Sequence, residues 1–260
     1  LARAEARGPF SIELGDTDDT SAMVMGEDAW RLSLTEALSE RRVRLVAFPL
    51  VDRLGRLVHQ ECPMRIQIER DGAHEVASTW LPMALRSTLM SEIDEMAVRL
   101  ALESMARDRV PRGVNLSPAS LLDSGFVPRV RALLLASPKE ARLLSLEVAE
   151  GAAVDRFELV RELCKQLRPL GARIGLEHAG ERLTRIEFLF EAGLDYVKLD
   201  ASVVQGVWQD GARAAFVQAT AGMLHGLGLQ VYAEGVSDLA DIPVLHRLGV
   251  DGVTGPVVKM

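Results

Sequence analysis

The sequence predicts an α/β protein closed into a TIM-type (β/α)8 barrel, on three observations. Short apolar strands alternate with amphipathic helices through most of the 260 residues, the order that parallel strands joined by helical crossovers require. At least five such units run in succession, which favours closure over an open doubly wound sheet. No phosphate-binding glycine fingerprint follows any strand, as that second arrangement would expect. Each strand also stays apolar until its last residues and then ends on a charged or amide side chain, which bears on function rather than on fold.

The elements follow in order. Residues 1–7 (LARAEAR) read as the end of a helix closed by Gly8, and residues 10–14 (FSIEL) as a short strand. The acidic stretch Asp16 to Asp19 reads as a solvated hinge. A helix then presents Trp30, Leu32, Leu34, Ala37 and Leu38 as its apolar face. RLVAFPLVD (44–52) is a strand, and Leu54-Gly55 turns the chain into the next. QECPMRIQIE (60–69) alternates Met64, Ile66 and Ile68 with Arg65, Gln67 and Glu69, the period of a half-buried strand, although Pro63 removes a ladder donor near its start. Residues 91–108 form a strong helix, 113–117 and 143–150 are strands, and 155–171 is a helix closed by Gly171. Strands over 172–178, 194–200 and 229–235 alternate with the helical segments RLTRIEFLFEAG, AAFVQATAGMLHGLG and LADIPVLHRLG, and VDGVTG ends the series.

Composition bounds the function. With 48% hydrophobic residues the chain can bury a large single core. A net charge of -7 argues against a nucleic-acid polymer as partner. Cys62 and Cys164 are too far apart in sequence for a disulfide framework or a zinc site, and both suit a reducing compartment. No apolar run approaches the roughly 20 residues of a membrane span, and no signal peptide is recognisable. The chain opens at Leu1 rather than methionine, so it reads as a piece of a longer protein, and an upstream membrane anchor stays open.

In a parallel barrel every C-terminal strand end opens onto one face. Asn115, Glu147, Glu177, Lys198, Asp200 and Glu234 therefore converge on one mouth. Carboxylates with an asparagine are hard oxygen ligands suited to Mg²⁺ or Mn²⁺, and a lysine among them is a charge partner or a base.

These motifs resemble the EAL domain family, a modified α/β barrel that binds and often hydrolyses cyclic di-GMP. The resemblance covers residues 28 to 260. It rests on LVAFPLVD, on ECPMR in place of the family's Glu-Ala-Leu-Leu-Arg, and on TWLPMA, EIDEMAV, VNLS, LEVAE, VKLD and AEGV in family order. Residues 1–27 are similar to the end of a preceding GGDEF-like domain plus a linker. The resemblance implies that Glu61 is the signature glutamate and that Arg65 holds a ligand phosphate with its guanidinium fork. It further implies that Asp94 reads a guanine edge and that Met64, Asn115, Glu147 and Glu234 contact the dinucleotide.

The departures from the pattern decide the expected function. In active members Glu61, Asn115, Glu147 and an aspartate pair hold two metal ions that activate water, supported by Lys198 and Glu234. Here Glu177-His178 replaces the Asp-Asp pair, and His178 is a poor substitute for a bridging oxygen ligand. Glu61, Asn115, Glu147 and Glu177 are then vestigial metal ligands, and Glu61 and Lys198 vestigial catalytic groups. ERLTRIEFL lacks the family's Gly-Thr-Gly-Tyr-Ser-Ser loop, and Phe48 and Thr254 stand where glutamines are expected.

The implied protein is a catalytically inactive cyclic di-GMP receptor, similar to LapD-type receptors. Such a receptor would signal by ligand-dependent release of autoinhibition by its upstream GGDEF/HAMP segments, by EAL homodimerisation, and by regulation of adhesin retention and biofilm. It would be a cytoplasmic domain of an inner-membrane bacterial protein, with no membrane insertion by this fragment. No cofactor is required on this reading. Mg²⁺ or Mn²⁺ enters only in the alternative of a weakly active phosphodiesterase; a ligand-free protein-interaction scaffold is the other alternative. Of the remaining residues, His59, His74, His225 and His246 read as structural or surface groups. Cys62 reads as a small core residue near the mouth and Trp80 as core packing.

Overall fold

The computed structural model describes residues 26–180 and 191–259. The expectations for residues 1–14, for the acidic hinge and for the ERLTRIEFL loop and its helix lie outside the described residues.

The first described helix, α1 (Glu27–Ser39), buries Leu34, Ala37 and Leu38. Leu32, expected on that face, is 60% exposed. The strand expected over 44–52 is two strands, β1 (Val43–Leu45) and β2 (Phe48–Asp52). The alternating stretch after it is also two, β3 (Leu57–Glu61) and β4 (Met64–Gln67). The fault at Cys62-Pro63 is the physical reason. There the hairpin leaves the barrel, because β2 pairs with β3 while β4 lies between β1 and β5 (His74–Glu75) in a separate three-stranded sheet. Pro63 costs no ladder bond at this joint, and its carbonyl accepts from the Val46 backbone N–H at 3.1 Å. Glu61 and Arg65 thus do not share one strand face, as the continuous reading required.

Two helices follow the small sheet. α2 (Ala77–Arg86) carries Pro82 inside it and buries Ala77, Trp80 and Ala84. α3 (Met90–Asp108) buries Ile93, Asp94, Ala97, Val98, Ala101, Leu102 and Met105, the three-and-four spacing of one helical face. β6 (Arg112–Leu116) leads to α4 (Pro118–Leu122), α5 (Phe126–Ala136) and α6 (Pro138–Ala141), and β7 (Leu144–Ala149) follows. The helix expected over 155–171 is α8 (Phe157–Leu167) with a 3₁₀ turn ended by Gly171 at φ +103°, and a short helix not expected from the sequence, α7 (Glu150–Asp155), precedes it. The remaining elements are β8 (Arg173–Ala179), β9 (Tyr196–Leu199), α9 (Ala201–Val204), α10 (Gly211–Gly226), β10 (Gln230–Ala233), α11 (Asp241–Arg247) and β11 (Gly252–Thr254).

Eight strands close in the order β10-β11-β2-β3-β6-β7-β8-β9. β2 runs antiparallel to both its neighbours, and the other pairings are parallel. The fold is therefore an α/β barrel of the TIM type with one reversed strand, as expected. Leu146, Val148, Ile174, Leu176, Val197, Leu199 and Val231 are fully buried and belong to the continuous core between strands and helices. Inside the barrel, Tyr196 occupies the space left by Gly175, where a Cβ would lie 2.2 Å from the phenol ring.

Candidate functional site

The parallel register sets the depth of each polar residue. Asn115 on β6 lies level with Glu147 on β7, and Ala149 with Glu177 on β8. β8 and β9 then lose register between Leu176 and Ala179. This irregularity re-aims the side chains on it, and His178 sits there at φ +54°. Its backbone N–H donates to Glu234 Oε1 at 3.0 Å.

At the centre of the mouth is Lys198, 2% exposed. Its Nζ donates to Glu147 Oε2 at 2.6 Å and Glu61 Oε2 at 3.1 Å. It also lies 3.4 Å from Glu234 Oε2 and 3.9 Å from Glu177 Oε2. Burial alone would lower the lysine's pKa, but the carboxylates around it, Glu147 and Glu61 foremost, drive it well above its ordinary value. Burial would likewise raise Glu61, yet Lys198 and His59 outweigh it and hold that carboxylate down. Glu147, more deeply buried and facing Glu61, is raised. Glu177 is pushed up to about 8 by burial against the pull of His178 and Lys198, and Asn115 Nδ2 donates to its Oε2 at 2.7 Å.

His178 forms the second node. Its Nδ1 is 2.5 Å from Glu234 Oε1 and 3.3 Å from Asp200 Oδ2. Burial would lower its pKa, but hydrogen bonds to Asp200 and Glu234 prevail and push it up to about 11. Asp200 is held well below the carboxylate range by the same contact. At neutral pH His178 is therefore an imidazolium.

By spacing, two groups could each hold one ion: His59, Glu61 and Glu147, and His178, Asp200 and Glu234. As they stand they do not fit a pair of hard divalent ions. Lys198 neutralises the first set from within, and a cationic histidine is a member of the second. A divalent ion would have to displace an ammonium already bonded at 2.6 and 3.1 Å. The converging residues at the strand ends are thus a closed ion-pair network.

Beside this network opens a cavity of about 680 Å³, within the roughly 300–1,000 Å³ of small-molecule sites. Met64, Asp94, Asn115, Glu177 and His178 line it, and apolar groups including Trp80, Leu81, Met90 and Ile93 form most of the wall. Asp94 Oδ2 accepts from the Ser117 backbone N–H at 2.6 Å and from Ser120 Oγ at 2.7 Å. Burial exceeds both bonds and pushes its carboxyl up to about 7. Arg65 does not line the cavity; it is half-buried on β4, opposite Arg44. Cys62 lines the wall with its thiol pushed up to about 12 by burial.

Two residues went unrecognised in the sequence. His59, read as a structural or surface group, is 1% exposed, with Nε2 2.9 Å from Glu61 Oε1. Tyr196 donates its hydroxyl to Glu147 Oε1 at 2.7 Å. The signal was available in period-2 spacing: His59 precedes Glu61 by two, and Tyr196 precedes Lys198 by two, which places each pair on one strand face.

A barrel with one reversed strand and a ring of carboxylates about a lysine at its mouth defines a class of domain. A family model described as EAL domain matches residues 31–259, and the chain belongs to that family. It is 26% identical over 233 residues to the RNase E specificity factor CsrD of Escherichia coli K12, covering 88% of this chain and 36% of that protein. It is 25% identical over 260 residues to the cyclic di-GMP phosphodiesterase PdeB of Shewanella oneidensis, covering 97% of this chain and 30% of that protein. Among solved structures, the S helix-GGDEF-EAL portion of Vibrio cholerae LapD, bound to c-di-GMP, is similar with a TM-score of 0.83 at 20% identity, over 94% of this chain and 59% of that one. The chain spans about a third of the length of the curated relatives it matches. Among the described residues no helix is long and apolar enough to cross a membrane.

Proposed function

We propose that this domain is a cyclic di-GMP receptor that does not hydrolyse its ligand. The observation that carries this reading is the division of the mouth: the carboxylates are bonded to Lys198 and His178, while the adjacent cavity keeps room and polar capacity beside Asp94. In this reading Asp94 accepts from a guanine edge, and Met64 and Asn115 complete the wall around the ligand. Arg65 reaches a phosphate from the rim, and Glu147 and Glu234 act from the network. Binding shifts the population from a form packed against the chain's own upstream segments to one that pairs with a second EAL domain. The c-di-GMP-bound state of the LapD structure supports the ligand class.

Isothermal titration of this chain with cyclic di-GMP in EDTA tests the reading, with saturable binding expected. Arg65→Ala should weaken binding by about 10- to 100-fold, the loss of a charge-assisted phosphate contact; unchanged affinity overturns that residue's role. A second reading, a slow phosphodiesterase, is favoured by the retained Glu61, Asn115, Glu147 and Lys198 and by the likeness to PdeB. Binding that requires Mn²⁺, with release of linear product abolished by Glu61→Ala, would establish it. Absence of binding under both conditions would leave a protein-interaction scaffold.

A further inference from the structure

The rim of the cavity carries one charge that the ion-pair network does not use. Among the described residues two cations line the cavity, His178 and Arg156. His178 is already held by Glu234 and Asp200 at 2.5 and 3.3 Å. Arg156 is exposed. Its guanidinium makes no hydrogen bond or ion pair among the described residues, and none joins it to Asp155, its neighbour on the same rim. The backbone of Arg156 is fixed at the joint between α7 and α8. Its N–H donates to the Ala152 carbonyl at 2.8 Å, and its own carbonyl accepts from the Leu159 and Val160 N–H groups at 2.9 and 3.3 Å. The residue thereby ends one helix and starts the next. An arginine does nothing for α8 at that position. Good N-caps carry a short side-chain acceptor, and a cation opposes the positive end of the helix dipole. Arg156 makes no side-chain cap bond. Space is also available along α7: Gly151 lines the same cavity, and a Cβ added there would meet no described atom within 4 Å.

We infer that Arg156 is a phosphate-binding residue of this cavity, a second arginine in addition to Arg65 for a ligand that carries two phosphodiesters. The inference rests on the reading of the cavity as a cyclic di-GMP site and deepens it. Each phosphodiester is an anion at neutral pH, and an apolar wall does not compensate the water it loses. Such a group enters the cavity favourably only where a cation meets it. Lys198 and His178 are committed to carboxylates of the protein itself. The Arg156 guanidinium is not, so its charge is available without breaking an existing pair. Its planar fork also suits two phosphate oxygens at once.

The test is isothermal titration of the domain with cyclic di-GMP in EDTA. Arg156→Gln should bind about tenfold more weakly than the parent. Arg131→Gln is the control, because Arg131 is exposed on α5, does not line the cavity, and takes away the same charge when replaced. That variant should bind as the parent does. Equal affinity of the parent and Arg156→Gln overturns the inference. So does an equal loss in both variants, since that is the signature of net charge rather than of a contact. Thermal melts without ligand separate binding from folding. Arg156→Gln should melt no lower than the parent, because the arginine gives α8 no support. A clear drop, or no folded protein, would assign Arg156 to the joint between the helices and overturn its role in binding. If the parent does not bind cyclic di-GMP at all, the functional reading fails first, a result distinct from each of these.

Discussion

The charged centre of the mouth and the apolar cavity beside it share Asn115, Glu177 and His178 as a common wall, yet they are opposite in character. In the centre, Lys198 and His178 each answer at least two carboxylates at close range. In the cavity, Asp94 is answered by a backbone N–H and a hydroxyl, both on Oδ2, and by no cation among the described residues. Ion pairs shared among several strands hold the barrel's end in one arrangement. The density of ionisable residues does not locate binding here; a carboxylate left without a cation does.

The largest effect should come from removing the centre's counter-ion. Lys198→Met leaves buried Glu61 and Glu147 facing each other without a cation, and breaking a buried pair this way costs about 3–5 kcal/mol. Thermal melts should show a drop on the order of 10 °C, or no folded protein. Adding Glu147→Gln should recover part of the loss, because it removes one of the stranded charges. A Lys198→Met domain as stable as the parent would mean that the centre is not a closed network.

Asp94→Asn should separate the two regions by pH. The Asp94 carboxyl is raised from 3.8 to about 7 in the folded protein. Between those values the folded state binds more protons than the unfolded state, so stability falls as pH rises through that window. Above pH 8 the buried charge costs about 2–4 kcal/mol. An amide oxygen can still accept from Ser117 and Ser120, so Asp94→Asn should flatten the profile and melt higher than the parent at pH 8, but not at pH 4. Parallel profiles for the two proteins would contradict the burial of that charge. The same substitution should weaken cyclic di-GMP binding at pH 8, where Asp94 is ionised in the parent.

How much of this was legible in the sequence depends on range. The apolar strands, their polar last residues and the long periodic helix α3 announce themselves locally, and together they suffice for a barrel with a charged mouth. The break at Cys62-Pro63 was visible as an anomaly. Its meaning was not, because the two halves of the hairpin belong to different sheets and only the closed barrel requires the chain to leave. α2 was hidden by Pro82, which reads as a breaker until Trp80 and Ala84 are seen packed beneath it. Lys198 was correctly placed at the mouth. Its four glutamate neighbours come from three strands and from the residue that follows a fourth, so its role as the internal cation exists only after closure. His178 read as a failed metal ligand; the structure makes it a cation, because Asp200 and Glu234 arrive from elsewhere.

A smaller effect concerns ligand affinity and proton linkage. If a guanine edge donates to the ionised form of Asp94, only that fraction of the free protein is competent, and apparent affinity scales with it. With the carboxyl at about 7, cyclic di-GMP should bind about tenfold more tightly at pH 8 than at pH 6. Titrations at the two pH values check this directly, and in Asp94→Asn the ratio should fall to one. A ratio that persists in the variant would move the pH dependence to another group.

The smallest expected effect compares two thiols of the same domain. Cys62 lies in the cavity wall, and Cys164 is buried on α8 away from it. Burial pushes both up to about 12, so neither supplies an appreciable thiolate at pH 8, and reactivity follows the thiolate. Iodoacetamide should therefore label both only as fast as the domain unfolds, with cyclic di-GMP slowing both alike through its stabilisation of the fold. Cys62 labelling well ahead of Cys164, and ligand protecting Cys62 alone, would mean that the cavity wall opens without global unfolding. The cavity would then differ from the centre in mobility as well as in the pairing of its carboxylate.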